Sequence, residues 1–311
     1  SGLKIVGRIP GLDGGWDYAS FDPARRRVYV AVGNAVMAID ADSGKANPNF
    51  AAGSHLHAVV PIPRSNLILT TNSGDDTARI VNAVTGKLIA SVPTAKDADG
   101  AVFDPASGLV MVVCGEASAV TMVDPRTAKA VATLPIPGGL EYPAVDGKGK
   151  LFVNVEGKNE IAVADIATRK VLARYPMPGC ERPTGLAYVA GNRLISACAN
   201  GVAKILDAGT GREIASFKIG AFPDSVLQDA GRGLAYIPSA ITGTMAVISL
   251  KGAANNTIVD TVTTRPGART GTVDPKTGRV YLPTAHYILP APAGRRPQPK
   301  PGTFEVLVLG R

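Results

Sequence analysis

The chain has 311 residues, 35 of them Gly and 24 Pro, with a formal net charge of +8 and 5% aromatic residues. That many helix breakers among Val, Ile and Ala exclude a mostly helical fold, and no apolar run nears the ~18 residues that cross a bilayer as a helix. The basic residues sit in short clusters, Arg25-Arg26-Arg27 and Arg295-Arg296 with Lys300, not in the aromatic-interleaved stripe of a nucleic-acid binder.

Residues 3–10 (LKIVGRIP) already read as a strand with no leader ahead of it, as expected of a mature or trimmed chain. Phe21-Asp22-Pro23 then precedes RRRVYVAV, which reads as a strand, a type I Asp-Pro turn and an alternating strand. AVMAIDADSGKA follows as two further strands around a short turn, with Gly44 at the φ > 0 position. The unit then returns along the chain. Its first turn recurs at Phe103-Asp104-Pro105 before SGLVMVVC and at Val273-Asp274-Pro275 before TGRVYLPT. Its second hairpin recurs as ARIVNAVTGKLIASV, AVTMVDPRTAKAVATL, EIAVADIATRKVLARY and VAKILDAGTGREIASF. A repeat of about 42 residues with four antiparallel strands, a to d from the centre outward, is a β-propeller blade.

One position counts the blades. Five residues before the turn aspartate, or its equivalent, stand Asp17, His57, Asp99, Glu141, Thr184, Asp224 and Arg269, at intervals of 40, 42, 42, 43, 40 and 45. The sequence therefore predicts one all-β domain over 1–311, a seven-bladed propeller with four antiparallel strands per blade. Blade 7 contains RVYLPT, a long insertion and FEVLVLG, and lacks an outer strand. Residues 3–10 resemble AVATLPIP and VLARYPMP and are expected to supply that strand, which removes the exposed sheet edges.

The segment LFVNVEGKNEIAVADIATRKVLARYPMPG carries a YVxN-like strand, a polar loop, a V/I-D-x-x-T strand end and K-V-x-A, with VYVAVGN and AYIPSA as degenerate copies. In these motifs the chain resembles the YncE-like, YVTN-repeat propellers over essentially its whole length. The resemblance implies the fold and a periplasmic or secreted location. It implies no reaction, because members of that group are mostly exported proteins without one assigned.

Three cysteines cannot all pair within one chain. Cys180 ends the loop entering blade 5 and Cys198 ends strand b of that blade, so the two form either a disulfide or a pair of small buried thiols. Cys114, in strand b of blade 3, reads as a buried free thiol.

Strand a begins and strand b ends at one face, so the seven counted residues should ring one mouth of the channel. Six are ionisable and four acidic, in a chain with 19% charged residues. The ends of strand b should bring Asn72, Cys114, Glu156, Ser239, Thr284 and His286 to the same face. A wet mouth tolerates polar residues, but four converging carboxylates repel unless a cation or hydrogen bonds offset them. The candidate ligand-binding set is Asp17, His57, Asp99, Glu141, Asp224, Arg269 and His286. Within it His57, His286 and Asp17, converging across blade 1, are the metal-ligand candidates. Oxygen ligands alone suit Ca²⁺ or Mg²⁺, whereas a histidine favours Zn²⁺. Arg269 offers a metal-free alternative, because it can neutralise a carboxylate directly. His55 joins His57 in a His-x-His pair expected in a loop.

The insertion 285–303 has five prolines between 290 and 301 and predicts a PPII-like arm. It either covers the mouth as a lid carrying Arg295 and Arg296 or hangs in solvent. No nucleophile elbow, Walker loop, H-E-x-x-H or dinucleotide fingerprint occurs, and no nucleophile–base–acid set stands out. Three functions remain: a monomeric protein binding a small polar or anionic ligand or a divalent ion at the mouth; a metal-assisted lactonase, other hydrolase or lyase there, with His57 or a carboxylate moving a proton; and a scaffold that docks another protein.

Overall fold

The turn aspartates build the blades locally. Asp22 Oδ1 accepts the backbone N–H groups of Ala24 and Arg25 at 3.0 and 3.1 Å, and Asp104 and Asp274 close their own a–b turns in the same way. Asp40, Asn82, Asp124, Asp165 and Asp207 do the same for the c–d turns. A short acceptor side chain thus takes over backbone donors that a tight turn leaves free. Between the turns, runs such as Val110–Val113 are buried on both faces, because each sheet is packed between two others.

A computed structural model describes residues 2–311. Seven four-stranded antiparallel sheets form, each an innermost to outermost series. In blade 1 the strands are Trp16–Asp22, Arg27–Val32, Ala35–Asp40 and Ala46–Ala52. In blade 7 they are Thr272–Val273, Val280–Thr284, Glu305–Gly310 and, last, Lys4–Pro10. The predicted closure is therefore present, with Lys4 opposite Gly310 and Pro10 opposite Glu305. The core lies between blades. Leu69 and Ile80 of blade 2 meet Val110 and Val112 of blade 3, each fully buried aliphatic contributing about 1.5–3 kcal/mol.

The Arg25–Arg27 cluster is structural. Arg25 reaches Ser65 O and Asn66 of blade 2, and Arg27 reaches Ala83 O. Arg26 makes two 2.6 Å bonds to Asp274 of blade 7. These contacts lie at the a–b turns, on the face opposite the predicted mouth.

Two details position the site. In blades 1 to 5 strand a carries a bulge just after its first residue: Trp16 pairs with Val32, but Ala19 pairs with Val30, and the same shift recurs after Leu56, Ala98, Leu140 and Pro183. In blades 6 and 7 strand a is short, Leu227–Asp229 and Thr272–Val273.

Candidate functional site

Every counted residue in blades 1 to 5 is the first residue of that bulge. Asp17, His57, Asp99, Glu141 and Thr184 each occupy the second position of their strand a. A bulge sets two residues against one partner and re-aims a side chain; here it turns the ring position toward the axis. All seven ring residues are partly buried.

Asp17, His57 and Asp99 come together directly. His57 Nδ1 lies 2.6 Å from Asp17 Oδ2 and 3.5 Å from Asp99 Oδ1. One ligand atom from each of the three falls within 4.8 Å of the others. On its far side His57 Nε2 meets Ser73 Oγ at 2.8 Å. Asp99 Oδ1 is buried without a hydrogen-bond partner among the described residues. His55, in the left-handed region at φ 49°, sets its ring 4.8 Å from that of His57.

The rest of the ring divides into pairs. Asp224 Oδ2 lies 3.5 Å from Arg269 Nε. Arg269 also donates to Trp16 O at 2.7 Å and stands 5.4 Å over the Trp16 ring. Glu141 shares a hydrogen bond with Glu156, which is held by Arg182 Nε at 2.7 Å. Thr184 Oγ1 donates to Pro223 O at 2.7 Å and ties blade 5 to blade 6. At the ends of strand b, Asn72, Cys114, Ser239 and Thr284 are buried, so of those residues Glu156 is the one that joins the ring chemistry.

These neighbours set the proton affinities. Burial, reinforced by Asp17, pushes the Asp99 carboxyl up to about 7. Burial, then the hydrogen bond to Glu156 and the fields of Asp224 and Asp99, raise Glu141 far above the carboxylate range. Glu141 therefore holds a proton toward Glu156, whose own value that bond and Arg182 hold low. Asp224 is raised by burial and Asp17, against the pull of Arg269. Burial opposes charge on His57, but the Asp17 hydrogen bond and the fields of Asp99, Asp17 and Asp97 outweigh it and hold the imidazolium up to about 9. Four ring carboxylates outnumber the two ring cations, His57 and Arg269, and the raised proton affinities of Glu141, Asp99 and Asp224 offset the excess.

Below the ring the channel is blocked. The residues following the ring positions are Tyr18, Ala58, Gly100, Tyr142, Gly185, Ser225 and Thr270. The two large ones come from blades 1 and 4 and meet across the axis, with ring centroids 4.8 Å apart. Gly100 makes the room, since a Cβ there would stand 2.7 Å from Tyr142 Cδ2. The mouth is a well with an aromatic floor.

The structure does not bring His286 into the metal group, which consists of Asp17, His57 and Asp99. His286 is exposed and its backbone pairs with Lys300 and Thr303 at the base of the arm. The arm folds on itself through Ile288 N to Gln298 O at 2.8 Å. Its base packs against Trp16 through Tyr287 and Phe304, at 6.3 and 5.8 Å between centroids. Arg295 and Arg296 are exposed, and no hydrogen bond or ion pair joins either side chain to the ring among the described residues. Cys180 and Cys198 are bonded, with Cα atoms 5.5 Å apart, and Cys114 is a buried free thiol. No helix is long and apolar enough to cross a membrane.

Two partners escaped the sequence reading. Ser73 completes a Ser73–His57–Asp17 line across two blades, and its only signal was its place just after strand b. The Tyr18–Tyr142 floor could have been found by reading one residue beyond each ring position.

The donor set fits a metal ion. Two carboxylates and one imidazole give three protein ligands and leave a position open, and a neutral His donor suits first-row transition ions over Ca²⁺. Ser73 would accept the remaining N–H of His57, as a histidine ligand's outer partner does.

Comparison with solved structures supports the architecture. The chain is similar to Kuenenia stuttgartiensis hydrazine synthase, with TM-score 0.77 and 15% identity over 90% of this chain and 95% of that one. It is also similar to a chain of the mitotic checkpoint complex, with TM-score 0.75 and 11% identity over 90% and 87%. At these identities the likeness shows a WD40-like seven-bladed fold and nothing of function. No family model and no curated protein matches the sequence.

Proposed function

We propose that this chain is an exported, YncE-like propeller whose channel mouth holds one divalent transition-metal ion, Zn²⁺ being the simplest choice, through Asp17, His57 and Asp99. The observation that carries this reading is Asp99 Oδ1, buried without a hydrogen-bond partner among the described residues, beside His57 Nδ1 and Asp17. A dication offsets the burial and the mutual repulsion that raise the ring carboxylates. Its open position would take a small anionic ligand from solvent, above the Tyr18–Tyr142 floor, with Arg269 adding positive charge at the rim. Export is supported by the Cys180–Cys198 bond, which suits an oxidising compartment. The test is metal content after purification without chelators: about one equivalent in the wild type and background in His57→Ala and Asp99→Asn. Background metal in the wild type, with no thermal shift on adding Zn²⁺, Mn²⁺ or Co²⁺, would overturn it.

A hydrolase is the second reading, favoured by the Ser73–His57–Asp17 line at 2.8 and 2.6 Å. Ser73 Oγ would attack an acyl carbon, His57 Nε2 would take its proton and pass it to the leaving alcohol or amine as the scissile acyl bond breaks, and Asp17 would hold the ring. His57 stays protonated up to about 9, so this chemistry would appear only at alkaline pH. Fluorophosphonate labelling of Ser73 above that pH, in protein without metal, would replace the metal reading with this one.

A further inference from the structure

Beneath the tyrosine floor the channel opens again. A cavity of about 270 Å³ is lined by residues 18–21 of blade 1, 225–228 of blade 6 and 271–273 of blade 7, with Tyr142 reaching in from blade 4. At ~30 Å³ per water this is room for roughly nine waters, smaller than a drug-sized site. The space follows from the late start of two inner strands. The ladders of blades 6 and 7 begin only at Leu227 and Thr272, so Ser225, Val226 and Gly271 line the cavity outside them.

The lining has an unusual chemistry for a channel whose other end is so charged. It contains no Asp, Glu, Lys, Arg or His. Ser225 and Thr272 bring hydroxyls, Gln228 an amide, and Tyr18, Phe21 and Tyr142 aromatic surface. Ser20 Oγ is shielded from solvent, so Ser225 and Thr272 supply the hydroxyls that face the cavity.

We propose that this lower well binds a small uncharged polyol of monosaccharide size. Its hydroxyls would bond Ser225, Thr272 and Gln228, with its C–H face against the tyrosine floor. Ions are disfavoured, since nothing in the lining repays their desolvation. This goes beyond the mouth reading and does not depend on it.

Titration calorimetry with glucose, galactose, mannose and myo-inositol tests it, with glucuronate as the charged control. At least one neutral member should bind with a Kd below about 10 mM, and glucuronate should bind far more weakly. Ser225→Val and Gln228→Leu should each weaken binding about tenfold or more, while the melting curve stays cooperative. Gln228 is exposed, so its replacement leaves the fold intact. Binding should be unchanged in His57→Ala, whose metal content tests the mouth separately. The proposal fails if no neutral member binds, if glucuronate binds as tightly, if both lining substitutions leave affinity intact, or if His57→Ala abolishes binding.

Discussion

Strand a carries aspartates at both its ends, and the protein treats the two ends in opposite ways. On the a–b turn face, Asp274 is almost completely buried, yet two bonds from Arg26, with Thr277 and the backbone of Lys276, outweigh that burial and hold it at about 2. Asp22 is paired with Arg25 and Asp229 with Arg232. At the mouth, Asp99 is raised to about 7 and its Oδ1 has no hydrogen-bond partner. A carboxylate whose field is answered within the fold holds blades together. One whose field is answered only in part, as Asp99 is by His57 at 3.5 Å, stands where something from outside can answer the rest.

The contrast is sharpest for Arg26→Ala, which would leave Asp274 charged and buried between blades 7 and 1. The loss should be about 3–5 kcal/mol, read from urea unfolding. A loss below 1 kcal/mol would mean that water reaches Asp274 easily. The mouth face has its own strong tie in the disulfide, which spans 18 residues. The double substitution Cys180→Ser/Cys198→Ser should cost about 3 kcal/mol without changing the charge of the ring.

The two faces should also answer pH with opposite sign. Asp99, raised to about 7, and His57, raised to about 9, both bind protons more tightly folded than unfolded. Their contributions are present at low pH and are lost as pH rises, Asp99 from about 4 to 7 and His57 from about 6.5 to 9. Asp274, held at about 2, contributes above its ordinary value near 4, and that contribution is lost as pH falls toward 2. The melting temperature should therefore peak in mild acid and decline by pH 9. A flat profile from pH 5 to 9 would mean that the mouth charges are already compensated. The effect of Asp99→Asn depends on pH. It should be close to neutral at pH 3, below both values of Asp99, and stabilise the metal-free protein progressively as pH rises from about 4 to 7, a reversal of what replacing Asp274 would do.

The repeats made the fold legible because the Asp-Pro and Thr/Ser-Gly turns are local and chemically distinct, so their spacing counted blades directly. The ring register followed from the same count. The bulge that aims it did not, because a bulge is a backbone pairing shift and Asp17 or His57 reads as an ordinary strand residue. Asp99 was placed in the ring but not among the metal candidates, and His286 was, because sequence distance across blade 7 hides how the arm carries His286 away. Ser73 was invisible for a related reason: its partners come from other segments, and a serine after a strand is commonplace. The Arg25–Arg27 cluster was read as excess charge, since its acceptors Ser65 O, Ala83 O and Asp274 lie far along the chain.

The seventh blade has one more consequence, for folding. Blades 1 to 6 are each made from one continuous stretch, so their hairpins can form as soon as their residues are present. The last sheet must instead join residue 4 to residue 310, and closing a loop of that length costs about 5 kcal/mol in chain entropy. That contact raises the contact order and sets a slow final step. Until it is made, the strand Glu305–Gly310 offers an open edge to any neighbouring chain. Slow refolding at low protein concentration and aggregation at high concentration should therefore share one cause, the waiting time of residues 4–10.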